Sequence, residues 1–264
     1  MNEIQNAMLE EKNEERALCL IQSENRTEME YYWIMIWSGM FNCWKILNYT
    51  LTKEFPTHTD VYVMTVCEAA KHGHMDMIMF LLDRVDKDSY SKIMSYAALS
   101  GHIEIVEFFL DLMKDESNVD YNTSMRIAAS AKENSSIIVQ LMIDKGANNY
   151  AETAVNAASY CNNDVVNMML DKGANNYDEI MHEAALRGNI EMFLLMLGKG
   201  ATSFNSSLSA AANRGHMEIV EILLEKATNY AEAASNVYLG DGNQNRQSIV
   251  ELLNVYKGGK GKIS

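Results

Sequence analysis

Ala210-Ala211-Ala212-Asn213-Arg214-Gly215-His216-Met217-Glu218-Ile219-Val220-Glu221 returns, little changed, as Tyr96-Ala97-Ala98-Leu99-Ser100-Gly101-His102-Ile103-Glu104-Ile105-Val106-Glu107 and as Glu68-Ala69-Ala70-Lys71-His72-Gly73-His74-Met75-Asp76-Met77-Ile78. Weaker copies carry Ala128-Ala129, Ala157-Ala158 and Ala184-Ala185. The second alanine of each pair falls at 70, 98, 129, 158, 185 and 212, at intervals of 28, 31, 29, 27 and 27 residues. A bulky apolar residue follows eight positions later: Ile78, Val106, Val166, Phe193 and Val220. In the copy at Ala129 this residue is Val139, displaced by two positions. The extra residues fall in the turn Glu133-Asn134-Ser135-Ser136, where lengthening costs little. Self-similarity at such a period marks a chain of stacked units, each unable to bury its apolar face alone.

Each unit reads as helix, turn, helix, loop. The first helix carries the Ala-Ala pair and ends near a glycine, which accepts a left-handed helix terminus. The second has helical apolar spacing, as in Ile103, Val106, Phe109 and Leu110, or Met217, Val220, Leu223 and Leu224. Glu104, Glu107 and Asp111 share its opposite face. Small side chains at the alanine positions let neighbouring helices approach, and a larger residue there overpacks by ~1–3 kcal/mol. Three units close on Lys145-Gly146-Ala147-Asn148-Asn149-Tyr150, Lys172-Gly173-Ala174-Asn175-Asn176-Tyr177 and Lys199-Gly200-Ala201. Tyr150, Tyr177 and Tyr230 then sit at turns of one register and are expected to form a ladder of rings.

Degenerate copies flank the six strong ones, which span residues 63–228. Met35-Ile36-Trp37-Ser38-Gly39, followed by Trp44-Lys45-Ile46-Leu47, fits the register with aromatics in place of the alanines. Asn229-Tyr230-Ala231-Glu232 repeats Asn149-Tyr150-Ala151-Glu152 and leads to Ile249-Val250-Glu251-Leu252-Leu253 through an insert, Gly240 to Asn245. The expected division is therefore a helical cap over 1–28 around Ala17-Leu18-Cys19-Leu20-Ile21, an array of about eight repeats over 29–257, and a flexible basic tail over 258–264. The linker Asn48 to Asp60, with the sole proline Pro56, is longer than the others.

Composition agrees with an all-α protein. Of 264 residues 48% are hydrophobic, with 1 Pro and 14 Gly. A formal net charge of −14 argues against a sequence-independent grip on nucleic acid and against docking on anionic lipid. Cys19, Cys43, Cys67 and Cys161 form no CxxC pair and read as small buried hydrophobes in a reducing compartment. The first residues lack a basic and an apolar region of secretory type. The most apolar stretch, Tyr31 to Phe41, is shorter than the ~20 residues a bilayer requires. A cytoplasmic protein is expected.

The shared pattern Ala-Ala-x-x-Gly-His-x-Glu-Ile-Val-Glu-x-Leu-Leu-x-x-Gly-Ala, nearly intact from Ala97 to Leu110 and from Ala211 to Leu224, resembles the ankyrin repeat. The resemblance covers roughly residues 29–257. His182-Glu183-Ala184-Ala185 keeps the histidine of that family's opening motif, and Thr123 keeps its threonine; its proline is absent from every copy. The usual repeat is about 33 residues. Copies of 27–31 residues imply that the finger between repeats is cut to a tight turn. The resemblance implies an all-α, ankyrin-like solenoid of stacked helix-turn-helix repeats. The short repeats, rich in Met and Asn, look like the arrays encoded by large DNA viruses, which would place the protein in the infected cell's cytoplasm or in the virion.

Nothing in the sequence assembles chemistry. Cys67, His72 and His74 lie close together, but a zinc site needs tetrahedral reach. In the repeat register Cys67 faces the core, and His74, like His102 and His216, orders a turn by hydrogen bonding. No G-x-S-x-G is present, and the tail Lys257-Gly258-Gly259-Lys260-Gly261-Lys262 lacks phosphate-loop spacing. No enzyme, no metal site and no cofactor is expected. The resemblance implies a protein partner on the concave face made by the first helices and turns. The positions flanking each Ala-Ala pair there include Lys71, His72, Tyr96, Leu99, Ser159, Tyr160, Leu186, Arg187, Asn213 and Arg214. Trp33, Trp37 and Trp44 either seal the first repeat against the N-terminal helix or form an aromatic docking patch. The expected function is a non-catalytic interaction scaffold or adaptor. The alternative is a structural, self-assembling component, a homo-oligomer joined through the aromatic first repeat.

Overall fold

The computed structural model describes residues 2–9, 13–23, 26–53, 59–116, 119–238 and 244–257. Pro56, the insert residues 240–243 and the 258–264 tail lie outside the described residues. Among the described residues there are eighteen α-helices, two short 3₁₀ turns and no strand, an all-α chain of helix pairs as the repeats require. It divides into two compact units, residues 1–148 and 149–264.

The first unit holds α1 (Asn2–Leu9), α2 (Glu14–Gln22), α3 (Glu28–Phe41), α4 (Trp44–Leu51), α5 (Thr59–Lys71), α6 (Met75–Leu81), α7 (Tyr90–Ser100), α8 (Ile103–Leu112), α9 (Tyr121–Ala128) and α10 (Ser135–Asp144). From α3 onward these are four helix pairs, and the first helices α3, α5, α7 and α9 pack in succession. Their small residues allow it: Ala69, Ala70, Ala97, Ala98, Ala128 and Ala129 are fully buried. In the first pair the register places Ser38 and Gly39, not aromatics, at the alanine positions. Ser38 is buried, and a methyl group on Gly39 would collide with the Thr65 carbonyl of α5. The expectation of aromatics there is corrected: the contact demands a side chain even smaller than alanine. Trp37, next to the pair, packs instead on a core of Ile4, Ala7, Met8, Ala17, Ile21, Ile34 and Ile46 that joins α1 and α2 to α3 and α4. Glu14 of α2 also caps α4, its Oε1 accepting from the backbone N–H of Lys45 (2.5 Å) and of Ile46 (3.2 Å). Cys43, the N-cap residue, makes no such bond itself.

The second unit holds α11 (Tyr150–Ser159), α12 (Asn163–Asp171), α13 (Tyr177–Arg187), α14 (Ile190–Gly198), α15 (Phe204–Arg214), α16 (Met217–Leu223), α17 (Tyr230–Ser235) and α18 (Gln244–Lys257). The first helices α11, α13, α15 and α17 again pack in succession, with Ala157, Ala184, Ala185, Ala211 and Ala212 fully buried. Ile249 and Leu253 bury the last pair's second helix, α18.

Two sets of hydrogen bonds tie neighbouring repeats together within each unit. At the turn inside a pair, His74, His102 and His216 order the chain as expected, but each does so through a carbonyl of the preceding repeat. Their Nε2 atoms meet the carbonyl oxygens of Met40 (3.1 Å), Lys71 (3.0 Å) and Leu186 (3.3 Å). Asn134 stands five residues after Ala129 where the other turn residues stand four after their alanine, so the insertion is of one residue and Ile138, not Val139, holds the bulky apolar position; Asn134 Nδ2 donates to Gly101 O at 2.9 Å. At the turn between pairs, a side chain in the first turn of one repeat accepts from the backbone of the next loop. Asn122 Oδ1 accepts from Asn148 N (2.7 Å), Asp178 Oδ1 from Ser203 N (2.8 Å), and Asn205 Oδ1 from Thr228 N (2.8 Å) and Asn229 N (3.0 Å). No strand forms in these loops among the described residues, so the finger is reduced to a tight turn.

The tyrosine ladder takes a different form from the one expected. The aromatic position eight before the second alanine is filled in every pair, by Tyr31, Tyr62, Tyr90, Tyr121, Tyr150, Tyr177, Phe204 and Tyr230. Successive helices lie about 8–10 Å apart, beyond the ~4.5–7 Å of ring contact. In four pairs a cation at the end of the same pair covers the ring instead. Lys53 lies 5.6 Å from the Tyr31 ring centre, and Arg84 (Tyr62), Lys199 (Tyr177) and Lys226 (Phe204) each lie 5.9 Å away. Tyr230 meets Tyr256 of α18 at 5.7 Å.

Candidate partner-binding surface

The exposed face of the first helices follows from their packing. Alanines and the bulky residues around them turn inward, so positions three or four apart along the helix form the outward stripe. In the second unit these stripes from α13, α15 and α17 enclose a groove of about 520 Å³. His182 and Leu186 of α13, Ser206, Ser209 and Asn213 of α15, and Glu232 of α17 line it. His182 Nδ1 is buried and has no hydrogen-bond partner among the described residues. Asn213 is held in place, its Oδ1 accepting from Tyr238 N at 3.2 Å.

The ten residues singled out from sequence are distributed as follows. Leu186 and Asn213 line the groove, whereas Arg187 and Arg214, one position further on, are exposed in the last turns of α13 and α15. Ser159 turns back on its own helix, its hydroxyl donating to Val155 O at 3.1 Å, and Tyr160 at the end of α11 is 62% exposed. In the first unit, Lys71 and His72 gather around Glu68: Lys71 Nζ lies 3.9 Å and His72 Nδ1 3.8 Å from Glu68 Oε2. The His72 ring stacks near His74 at 6.2 Å. On α7, Tyr96 is half-buried and Leu99 is exposed.

The three tryptophans do not form one patch. Trp37 packs on the core of α1 to α4, Trp44 meets Phe80 edge-on at 5.5 Å, and Trp33 is 51% exposed beside Met29, 62% exposed, one turn away on α3.

Sequence reading missed His182, Ser206, Ser209 and Glu232 as parts of this surface. The signal was present: His182 and Ser209 are one 27-residue period apart, as are Leu186 and Asn213, and each His182–Leu186 and Ser209–Asn213 pair is four apart on one helix face.

The expectation of four buried cysteines is corrected: Cys43 and Cys67 are buried, whereas Cys19 and Cys161 are exposed. Burial pushes the Cys67 thiol up to about 12 and the Cys43 thiol up to about 11. His74 is held below the usual histidine range by burial, despite its bond to Met40 O. No group of three His, Cys, Asp or Glu side chains among the described residues could hold a metal ion. No helix among them is long and apolar enough to cross a membrane.

Residues 203–236, which carry α15, α16 and α17, match the family model of the ankyrin repeat. The match is to the segment that also supplies most of the groove's floor. No curated protein matches the chain. Ankyrin repeats generally mediate protein–protein interaction and are typically non-catalytic.

Proposed function

We propose that the protein is a non-catalytic interaction module, a scaffold or adaptor, whose partner protein lies in the groove across α13, α15 and α17. The observation that carries this reading is the groove itself. It is built from the outward stripes of three successive first helices, within and beside the matched ankyrin repeat. Leu186 supplies an apolar wall, and Ser209 and Asn213 supply polar groups between which a chain can lie. Tyr160, Arg187 and Arg214 are exposed along the same helix ends and extend the surface. By the resemblance to viral arrays, the partner is a host-cell protein met in the cytoplasm.

The test is affinity capture from cytosol with the wild-type chain and with Leu186→Arg/Asn213→Arg, which fills the groove without touching the buried alanines. A saturable partner held by the wild type and lost by the variant is expected, with unchanged far-ultraviolet circular dichroism. Equal capture by both would refute the reading.

Met29 and Trp33 favour a second reading, self-association through the first repeat, because two large apolar side chains one turn apart stand exposed. Light scattering at high protein concentration decides it: a monomer removes this reading, and a dimer dispersed by Trp33→Ser retains it.

A further inference from the structure

We infer that the outward stripes of α3, α5 and α7 form a second docking surface, which takes an extended partner segment bearing an aspartate or glutamate. The surface lies wholly in the first unit and does not depend on the groove. Two polar groups on it lack a partner of their own kind. Glu68 of α5 is 9% exposed, and its buried Oε2 has no hydrogen-bond partner among the described residues. Lys71 Nζ and His72 Nδ1 stand 3.9 and 3.8 Å from that oxygen, near enough for Lys71 to offset its charge and too far for either to bond it. Lys92, the one charged residue of α7, is exposed. Its Nζ turns across to α5, 3.9 Å from Met64 Sδ, and not back to Asp88 four residues earlier. A thioether is a weak acceptor. Among the described residues no carboxylate lies within ion-pair distance of Lys92. A buried acceptor without a donor and a cation without an anion therefore stand on adjacent helices.

A segment crossing α5 and α7 satisfies both. A main-chain N–H donates to Glu68 Oε2, which a buried acceptor requires, and an Asp or Glu carboxylate pairs with Lys92. A basic side chain there would meet Lys92 and a carboxylate that Lys71 already offsets. The other acid of α5, Asp60, stands in its first turn, two turns from Glu68. The net charge of −14 does not oppose an acidic segment, because charges beyond about 8 Å are largely screened at physiological ionic strength. The rest of the face is apolar. Trp33 and Met64 hold on α3 and α5 the position that Lys92 holds on α7, and Trp37 and Tyr96 flank Glu68 in the same way. Helices about 8–10 Å apart put Trp33 roughly 16–20 Å from Lys92, the span of about five or six extended residues. A large apolar side chain at that distance from the acid would rest on the exposed Trp33 ring.

The experiment is selection of a displayed random heptapeptide library on the full chain carrying Leu186→Arg/Asn213→Arg, so that the groove is filled and peptides recovered there do not interfere. Fluorescence anisotropy with an enriched peptide follows. Enrichment of Asp or Glu, with a large apolar residue about five positions away, is expected. Lys92→Glu should weaken binding at least about ten-fold, and the same variant should bind the peptide whose acid is replaced by lysine better than the parent chain does. Glu68→Leu should weaken binding about five-fold with unchanged far-ultraviolet circular dichroism. If Glu68→Leu does not fold, the Lys92→Glu exchange decides alone. Lys114→Glu, beyond α8, should leave binding unchanged. No enriched peptide, enrichment without an acid, or Lys92→Glu binding at parental strength overturns the inference. None of these results bears on the groove, which the capture experiment above tests separately.

Discussion

Gly188 and Gly173 both adopt left-handed backbone, with φ of +73° and +101°, but their surroundings differ. A Cβ on Gly188 would lie 2.5 Å from His216 Nδ1 and 2.6 Å from its Cε1, whereas a Cβ on Gly173 meets nothing within 4 Å. Alanine at Gly173 therefore carries only the backbone term, about 1 kcal/mol. Alanine at Gly188 carries that term and must also push the His216 ring away. The push breaks the bond from that ring to Leu186 O, worth about 1 kcal/mol, and adds overpacking of ~1–3 kcal/mol. Gly188→Ala should then cost about 3–5 kcal/mol against about 1 kcal/mol for Gly173→Ala. All three tryptophans lie in the first unit, so tryptophan fluorescence does not report on this one. Hydrogen exchange of the α13 to α16 amides under mild urea does. The decisive comparison repeats both substitutions in a His216→Ala background, where no ring remains to be displaced. There the two glycine variants should cost about the same, close to 1 kcal/mol. If Gly188→Ala costs as much without His216 as with it, the collision is not the cause and the reasoning fails.

Three further outcomes are expected. Cys161 has φ +57° at the position where Gly188 and Gly215 end their helices, so Cys161→Gly should raise stability by about 0.5–1 kcal/mol in the same exchange assay; a loss would refute the strain. With a disulfide reagent at mildly alkaline pH, the exposed Cys19 and Cys161 should react in the native protein, while Cys43 and Cys67, buried with thiols pushed up, should react only on unfolding; four equal rates would contradict this. Asp120 caps α9 by accepting from Thr123 N at 3.1 Å, and hydrogen bonds from Thr123 hold its carboxyl below the usual range. Because the folded value is the lower one, the cap's contribution is complete above the unfolded carboxylate range and fades as pH falls through the folded value. Asp120→Ala should cost about 1 kcal/mol near neutrality and progressively less in acid; a gap that widens on acidification would refute the assignment.

The helix pairs were legible because their determinants are local. Ala-Ala, a glycine and a bulky residue eight positions later lie within one pair, and six copies fix the register. Reading failed where a residue's role depends on the neighbouring repeat. His216 reads as a turn residue, but nothing in its own repeat says that its acceptor is Leu186 O. Ser38 and Gly39 were hidden by the tryptophans around them, although counting eight residues on from Tyr31 would have found them. The ring ladder was misjudged because the distance between successive helices is a property of packing, and Lys199, not the next tyrosine, lies within reach of Tyr177. The groove was half seen: Leu186 and Asn213 were chosen as variable flanks of the alanine pair, but Glu232 reaches the site only when the third helix is stacked.

The bond from Thr202 N to Asp178 Oδ1 and the bond from Asn229 N to Asn205 Oδ1 are the same bond one 27-residue period apart. Losing or duplicating a whole 27-residue period would present an equivalent acceptor to an equivalent loop, and every junction could re-form. Losing a single residue would misalign the junction at that point. A gene encoding such a chain can therefore change length in whole repeats with little penalty to folding, and each added repeat would bring its own stripe of outward side chains. The stitching that makes the fold rigid also makes the length of its binding face open to revision by recombination.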